Sequence, residues 1–281
     1  MPKILIKNPG LLTTIQDKGR WGFQNVGMPV AGAMDQYALR CANLLVGNDE
    51  YEGVLEVTFM GPEIEFQCDE IISITGANMN PMVNGKEVPM WQSVFIKAGD
   101  VLKLSGVKSG LRGYIGFSRG FDVPVAMKSK STYLRGNLGG FDGRALKQND
   151  EISLNEKNLE EYGYILDEKF IPKYSKSENI RVVFGPQDDY FSEEAKKVFT
   201  TSEYVISSES DRMGFRLDGP KVEHLEGADI ISDGIVFGSV QIPGHGNPIV
   251  MMADRQTTGG YTKIATVISA DLPKVAQMGP G

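Results

Sequence analysis

The sequence predicts a mainly β protein with a few short helices. Its 281 residues include 33 glycines and 14 prolines, about 17% of the chain against a usual ~12%, and so many turn formers favour short strands over a helix bundle. Asn84-Gly85 between two short apolar runs is a strong hairpin signal, because both central positions of a type I′ turn need positive φ. At roughly 150 residues per domain, the length predicts two domains or one large β domain.

Further strands are expected where short apolar runs lie between turn residues. The runs lie at 55–59, 64–66, 71–74, 101–104 and 181–184. Gly61-Pro62 and the segment 97–100 supply turns between them. The runs from 54 to 104 therefore predict consecutive strands that pair as an antiparallel meander.

Two helices interrupt the strands. The first is indicated by apolar residues at helical spacing, namely Met34, Ala38, Cys41 and Leu45. Gly47 follows them at a position suited to ending a helix. The second is short and runs from Ser192 to Phe199, because Ser192 can cap the helix and two glutamates follow at the positive end of its dipole.

A polar, weakly periodic segment separates two β-rich halves. We expect an N-terminal half at 1–155 that carries the first helix, a connection at 156–177, and a C-terminal half at 178–281 that carries the motifs for chemistry. This organisation predicts two units of similar class.

Composition excludes several classes of partner. A net charge of −7 argues against binding to nucleic acid or to anionic membranes. No apolar stretch approaches the ~20 residues of a membrane span and the N-terminal run is too short for a signal peptide, so we expect a cytoplasmic protein. Cys41 and Cys68 are too few for a disulfide framework, and with two histidines we expect no bound metal.

Three known sequence motifs for chemistry are either incomplete or absent in this sequence. Residues 116–120 (GFSRG) match a nucleophile elbow, but Pro124 prevents the helix that must follow the serine, so we expect a turn. Lys128 in AMKS lacks the second methionine of a biotin acceptor loop, and we interpret it as an accessible lysine without covalent biotin. No P-loop is present, so any use of ATP cannot depend on one.

In the C-terminal third, four segments contain charged or amide side chains together with glycines: 185–189, 210–214, 241–246 and 253–261. Glycines let backbone N–H groups approach an oxyanion, arginines clamp carboxylates, and carboxylates orient water or move protons. The alternative is that these segments are ordinary turns with Asp–Arg pairs tying loops down. Asp211 and Arg212 are expected to point to opposite faces of a strand, so that one of them is structural.

Six motifs in this order resemble one family. They are PGLLTTIQD at 9–17, GAMD at 32–35, ANLLVGN at 42–48, GPQDD at 185–189, SDRMG at 210–214 and ADRQTTGGY at 253–261. The chain resembles the biotin-dependent carboxyltransferase family, also called allophanate hydrolase subunit 2 or KipA, which includes the C subunit of 5-oxoprolinase. The resemblance runs from about Pro9 to Pro273.

The resemblance implies a fold of two cyclophilin-like β-barrel units and a KipI-like subunit as partner. It also implies a LamB/YcsF-like subunit, with which the complex opens 5-oxoproline to glutamate using ATP. Which of the three subunits holds the nucleotide stays open. Two other functions stay open as well: carboxyl transfer in a urea or allophanate pathway, and regulation of a KipI-type kinase inhibitor without chemistry.

Opening a lactam needs cations for the anionic groups, a base for water and donors for an oxyanion. The candidate catalytic residues are Asp254, Arg255, Asp211 and His245. The candidate substrate-binding residues are Arg212, Gln241, Gln256, Thr257, Thr258, Gly259, Gly260, Asp17 and Arg20. In this hypothesis Arg255 and Arg212 bind anions, Asp254 or Asp211 serves as base, and the backbone from Thr257 to Gly260 stabilises the oxyanion.

Overall fold

The computed structural model describes residues 1–159 and 163–281. It divides the chain into an N-terminal unit (Met1–Arg20 and Ala31–Lys176) and a C-terminal unit (Trp21–Val30 and Ser177–Gly281). Strands hold 35% of the chain and helices 13%, with a sheet that curls into a half-barrel, so the predicted mainly β class is confirmed.

The N-terminal unit contains eleven strands and one α-helix among its described residues. In chain order they are β1 (Lys3–Asn8), β2 (Leu12–Gln16), α1 (Gln36–Leu45), β3 (Val54–Thr58), β4 (Glu63–Phe66), β5 (Glu70–Asn78), β6 (Met82–Val83), β7 (Lys86–Glu87), β8 (Ser93–Ile96), β9 (Val101–Lys103), β10 (Ser109–Phe117) and β11 (Glu151–Ser153). One sheet has the order β11-β1-β4-β9-β6-β7 and the other has the order β2-β3-β10-β5-β8.

The meander predicted for 54–104 is wrong. Strands β3, β4 and β5 are consecutive in the chain but do not pair, because the chain alternates between the two sheets. The crossing from β3 to β4 passes Gly61, where a Cβ would lie 2.1 Å from the Cβ of Leu104. The absence of a side chain therefore lets the chain change sheets at this close approach. Local turn signals could not distinguish this crossing from a hairpin.

Local signals did predict the short hairpin and the first helix. Asn84 and Gly85 have φ of 50° and 78° between β6 and β7, as a type I′ turn requires. Helix α1 begins at Gln36, two residues after the predicted start, because the Oδ1 atom of Asp35 accepts a hydrogen bond from the Ala38 N–H at 2.9 Å. Gly47 follows the helix with φ of 72°, and this confirms its predicted place at the helix end.

Buried apolar side chains on the two sheets form the core of the N-terminal unit. Phe117 packs against Phe121 with ring centroids 4.9 Å apart and against Phe66 at 6.0 Å. Helix α1 covers β5 and β10, and polar contacts fix it there: the Ser73 Oγ donates to the Ala42 carbonyl at 2.6 Å. The predicted amphipathic helix therefore does cover a sheet.

The C-terminal unit contains seven strands and two α-helices among its described residues. They are β12 (Val182–Phe184), α2 (Glu193–Thr201), β13 (Val205–Ile206), β14 (Gly214–Asp218), β15 (Asp229–Gly234), β16 (Ser239–Ile242), β17 (Ile249–Met251), β18 (Thr258–Val267) and α3 (Leu272–Ala276). The sheet has the order β12-β18-β16-β17-β14-β13, and β15 pairs with β18. The predicted second helix is confirmed as α2, with the Ser192 Oγ accepting from the Ala195 N–H.

Part of the predicted connection, 160–162, lies outside the described residues. Its later part, 163–176, belongs to the N-terminal unit, where the Tyr37 hydroxyl donates to the Phe170 carbonyl at 2.6 Å. The predicted domain boundaries themselves stay a prediction. No helix in the described part of the chain has the length and apolar character needed to cross a membrane.

We expect Gly116→Ala to destabilise the N-terminal unit. A Cβ at Gly116 on β10 would lie 2.7 Å from the Ala42 carbonyl oxygen and 2.8 Å from the Ser73 Oγ, so helix and sheet would have to separate. The free energy of unfolding should fall by about 1–3 kcal/mol in urea titrations. Gly106→Ala is the control, since its Cβ would meet nothing within 4 Å. Equal stability of the two variants would contradict this packing.

Candidate functional site

Asp17 and Arg20 in the N-terminal unit converge on one segment of chain. Both are buried after β2. The Asp17 Oδ1 accepts hydrogen bonds from the Gly19 N–H and the Ser129 Oγ, each at 2.7 Å, and its Oδ2 accepts from the Lys130 N–H at 2.6 Å. Arg20 donates from Nη2 to the Ser131 carbonyl, and the Ser131 Oγ donates to Asp17. These contacts hold the segment 129–131, and a role of Asp17 and Arg20 in substrate binding stays a prediction.

The lysine and serine motifs of this unit also have clear positions. Lys128 is exposed in a tight turn in which Met127 and Lys128 have φ of 52° and 62°, as expected for an accessible lysine. Ser118 lies in a turn after β10, which confirms the predicted turn, and its Oγ donates to the Glu70 Oε1 at 2.5 Å. Desolvation raises the pKa of the buried Glu70. Ser118 is thus held by a buried carboxyl and is not exposed as a nucleophile would be.

Arg212 and Asp254 form a buried bidentate pair in the C-terminal unit. The Arg212 Nε lies 3.1 Å from the Asp254 Oδ2 and the Nη2 lies 3.0 Å from Oδ1. The two side chains are 8% and 5% exposed. Strand register brings them together, since Gly214 on β14 pairs with Met251 on β17. The Asp254 N–H also donates to the Arg212 carbonyl at 2.8 Å, so backbone and side chains join the same two residues.

Asp211 and Arg212 diverge, although they lie in a bend before β14 and not in a strand as predicted. Asp211 is exposed, and its Oδ1 accepts hydrogen bonds from the backbone N–H groups of Met213 at 2.8 Å and Gly214 at 3.3 Å. Arg212 turns into the buried pair. The predicted separation of these neighbours is confirmed, and its cause is the turn that Asp211 closes.

Arg255 is a buried cation held by neutral groups. Its Nε donates to the Ile235 carbonyl at 3.3 Å and its Nη1 to the Met252 carbonyl at 3.2 Å, while the guanidinium lies 5.4 Å from the Phe237 ring centroid. Among the described residues no carboxylate lies within ion-pair distance of it, and Nη2 makes no hydrogen bond. Desolvation lowers the pKa of Arg255 to about 10, although the negative charge of the neighbouring Asp254 acts to raise it. The guanidinium therefore stays charged at neutral pH and keeps a donor for a ligand.

Two glutamines surround Gly259. Gln241 on β16 is buried, and its Nε2 lies 3.5 Å from the Tyr261 carbonyl oxygen. A Cβ on Gly259 would lie 2.8 Å from this Nε2, 3.4 Å from the Gln256 Nε2 and 2.6 Å from the Ile235 Cδ1. Within the described part of the chain, the buried Gln256 Oε1 has no hydrogen-bond partner. The structure thus brings Gln241, Gln256 and Gly259 together, with an unused acceptor among them.

The glycine-rich segment after Gln256 is the start of a strand and not an ordinary turn. Thr258, Gly259 and Gly260 begin β18, where Gly259 pairs with Asp233 of β15. Thr257 precedes the strand, and its carbonyl accepts from the Ile235 N–H at 3.0 Å. Two adjacent glycines favour a turn in the sequence, and pairing with β15 overrides that preference. The role of this backbone as oxyanion donor stays a prediction.

The two histidines of the C-terminal unit differ in setting. His245 is exposed in the loop between β16 and β17, and its Nδ1 accepts from the Asn247 N–H at 3.2 Å. His224 is half-buried, 3.0 Å from the Thr262 Oγ1, with its ring centroid 4.8 Å from that of Phe191. Burial lowers the pKa of His224. No group of His, Cys, Asp and Glu among the described residues is arranged to hold a metal ion.

Lys263 and Asp233 were not identified from the sequence. The Lys263 Nζ on β18 lies 3.0 Å from the Asp233 Oδ2, and the lysine side chain is only 3% exposed. The hydrogen bond to Lys263 is the main reason that the pKa of Asp233 is lowered. The run TKIATV gives no local sign that its lysine is buried, because lysines are usually exposed and the burial depends on the neighbouring strands.

We expect Asp254→Ala to destabilise the C-terminal unit, because it removes the bidentate acceptor of a buried guanidinium. The free energy of unfolding should fall by about 3–5 kcal/mol, as measured in urea titrations. Glu63→Ala is the control, since its partner Lys103 is 62% exposed and the atoms are 3.6 Å apart, and its loss should cost less than about 1 kcal/mol. A small effect at both positions would contradict the strength assigned to the buried pair.

Comparison with known proteins relates these features to a family. The family model for the carboxyltransferase domain, subdomain A and B, matches residues 26–281. The C subunit of 5-oxoprolinase from Haemophilus influenzae is 38% identical over 94% of this chain and 84% of its own length. The protein of the same name from Escherichia coli is 37% identical over 96% of this chain and 86% of its own length.

A solved structure is also similar to this chain over nearly its whole length. The urea carboxylase of Kluyveromyces lactis superposes with a TM-score of 0.93 at 30% identity, over 99% of this chain and 26% of the solved one. The present chain therefore spans about a quarter of that solved chain. Together with the family model, these similarities show that the chain belongs to the family of carboxyltransferase domains with subdomains A and B.

Proposed function

We propose that this chain is the C subunit of an ATP-dependent 5-oxoprolinase, which converts 5-oxo-L-proline to L-glutamate. The two similar bacterial proteins with that name support the proposal, because each matches nearly the whole chain. The proposed partners are a KipI-like subunit and a LamB/YcsF-like subunit. The complex uses ATP as co-substrate, and we assign neither a nucleotide site nor covalent biotin to this chain.

The chemistry sets clear demands on the site. A five-membered lactam is an unreactive amide, and transfer of a phosphoryl group from ATP to its oxygen makes the ring carbon electrophilic. Water then adds to this carbon and the ring C–N bond breaks, which gives a glutamyl phosphate with a free amine. A second water hydrolyses this acyl phosphate, so that one lactam, one ATP and two waters become glutamate, ADP and phosphate. Negative charge develops on the oxygen during both steps and requires fixed donors.

The surroundings of Arg255 are the structural observation that best supports the proposal. It is a buried guanidinium with carbonyl and aromatic contacts, without a carboxylate at ion-pair distance among the described residues, and with Nη2 available as a donor. A cation in these surroundings binds an anion strongly because little water competes with it. In our proposal Arg255 stabilises the charge on the activated lactam oxygen.

The remaining roles follow from exposure and pairing. Both oxygens of Asp254 already bind Arg212, so Asp254 positions that guanidinium and is a poor candidate for the base. Asp211 and His245 are exposed and accessible to water. We assign the proton transfer from water to one of these two groups.

A second candidate function is carboxyl transfer from carboxybiotin to an amide. The similarity to urea carboxylase, with a TM-score of 0.93, favours it. Its demands overlap with those of lactam opening, since carboxybiotin also needs an oxyanion site and an amide acceptor needs a polar clamp. Regulation without chemistry would instead require only a docking face for a KipI-type protein.

Reconstitution tests the proposal. The chain is mixed with the KipI-like and LamB/YcsF-like subunits, 5-oxoproline and ATP, and released glutamate is measured. We expect glutamate only when all three proteins and ATP are present. Activity that needs a biotin carrier would favour the second candidate, and tight binding to the KipI-like protein without either activity would favour regulation; both results would contradict the 5-oxoprolinase assignment.

We expect Arg255→Ala to lower kcat of the reconstituted complex by about 100-fold or more, since removal of one oxyanion donor costs roughly that factor. Arg255→Lys should recover part of the loss, because the charge is kept while the planar fork is not. Arg216→Ala is the matched control: this arginine of the same unit is 51% exposed and lies 3.8 Å from Glu209. Unchanged activity of Arg255→Ala would exclude the assigned role.

A further inference from the structure

We propose that Lys263 binds the carboxylate of the small-molecule substrate, and that its ion pair with Asp233 opens when the substrate enters. The inference rests on the proposed function for the identity of the substrate, 5-oxoproline. It adds Lys263 as a specificity-determining residue. Asp233 is then the protein's own anion, which binds Lys263 until the substrate carboxylate replaces it. Neither residue belongs to the motifs that indicated the site.

The setting of Lys263 is the first step. Its ammonium has three N–H donors, and within the described residues the Asp233 Oδ2 is the one acceptor that they contact. Lys263 is 3% exposed while Asp233 is 53% exposed. A buried cation requires an anion at close range, but this anion lies half in water, which weakens its hold. A substrate carboxylate that brings its own buried contacts can therefore replace Asp233.

Strand register places Lys263 beside the glutamine cluster. Gln241 on β16 pairs directly with Lys263 on β18. Side chains of directly paired residues in antiparallel strands lie on the same face, with Cβ atoms about 4.5–5.5 Å apart. The Gln241 Nε2 packs close to the backbone of Gly259, since a Cβ at that glycine would lie 2.8 Å from it. Lys263, Gln241 and Gly259 thus lie next to one another.

The groups of this region complement a cyclic amide that carries a carboxylate. The Lys263 ammonium matches the carboxylate, and the Gln241 Nε2 can donate to the lactam oxygen. The buried Gln256 Oε1, which has no partner among the described residues, can accept from the ring N–H. An unsatisfied buried acceptor is unfavourable, so a ligand that donates a hydrogen bond to it gains affinity. This pattern of one cation, one donor and one acceptor selects 5-oxoproline over an uncharged lactam.

Opposite effects of two substitutions distinguish this role from a structural ion pair. Binding of 5-oxoproline and of 2-pyrrolidinone, which lacks the carboxylate, is measured by calorimetry on the full chain. Lys263→Met should weaken binding of 5-oxoproline by about 10-fold to 100-fold, the value of a charge-assisted hydrogen bond, and leave 2-pyrrolidinone unaffected. Lys263→Arg should keep most of the affinity. Asp233→Asn should tighten binding, because the competing anion is lost.

Controls separate folding from binding. Melting temperatures without ligand show whether each variant folds, and Lys103→Met, which breaks the exposed pair with Glu63, should not change binding. In the reconstituted complex, Lys263→Met should raise KM for 5-oxoproline more than it lowers kcat. If the ion pair were purely structural, Lys263→Met and Asp233→Asn should change the affinity for 5-oxoproline in the same direction.

Binding and turnover can fail independently. If the complex releases no glutamate but the chain binds 5-oxoproline through Lys263, the proposed function fails and the inference stands. If wild type and Lys263→Met bind 5-oxoproline equally, or if neither binds it, the inference is overturned whatever the activity of the complex.

Discussion

The candidate site of the C-terminal unit depends on the buried pair of Arg212 and Asp254. Two charges removed from water are stable only when their geometry is close to ideal, and here two side-chain hydrogen bonds and one backbone hydrogen bond join the same residues. Asp254 is followed directly by Arg255, so the contacts that fix the backbone of Asp254 also fix the point from which the Arg255 side chain extends. The pairing of β14 with β17 therefore orients the cation that we assign to chemistry.

Three buried cations of the C-terminal unit, Arg212, Arg255 and Lys263, differ in how they are neutralised. Arg212 has a bidentate carboxylate, Arg255 has two carbonyls and an aromatic ring, and Lys263 has a half-exposed carboxylate. The better a cation is paired within the protein, the less it gains from a ligand. On this basis we assign Arg212 to structure, and Arg255 and Lys263 are the groups that we propose to receive anions.

Sequence reasoning named candidate site residues by their type but could not predict their contacts. The motif at 253–261 pointed to Asp254 and Arg255, yet nothing in it showed that both oxygens of Asp254 bind Arg212, 42 residues earlier. The adjacent residues Gly259 and Gly260 favour a turn by local propensity but form the start of β18, because long-range pairing with β15 stabilises the strand. Lys263 was missed, since a single lysine in a strand shows its burial only once the neighbouring strands are known.

The sequence by itself determined the features that arise within about ten residues of chain: the β class, the type I′ turn at Asn84-Gly85 and the capped helices α1 and α2. The tertiary structure decided which strands pair, where the chain changes sheets at Gly61, and which groups surround each buried cation. The physical reason is the distance along the sequence between the residues that interact. Turns and caps are stabilised by neighbours along the chain, whereas sheet register and ion pairing depend on residues far away in sequence, whose approach no local pattern records.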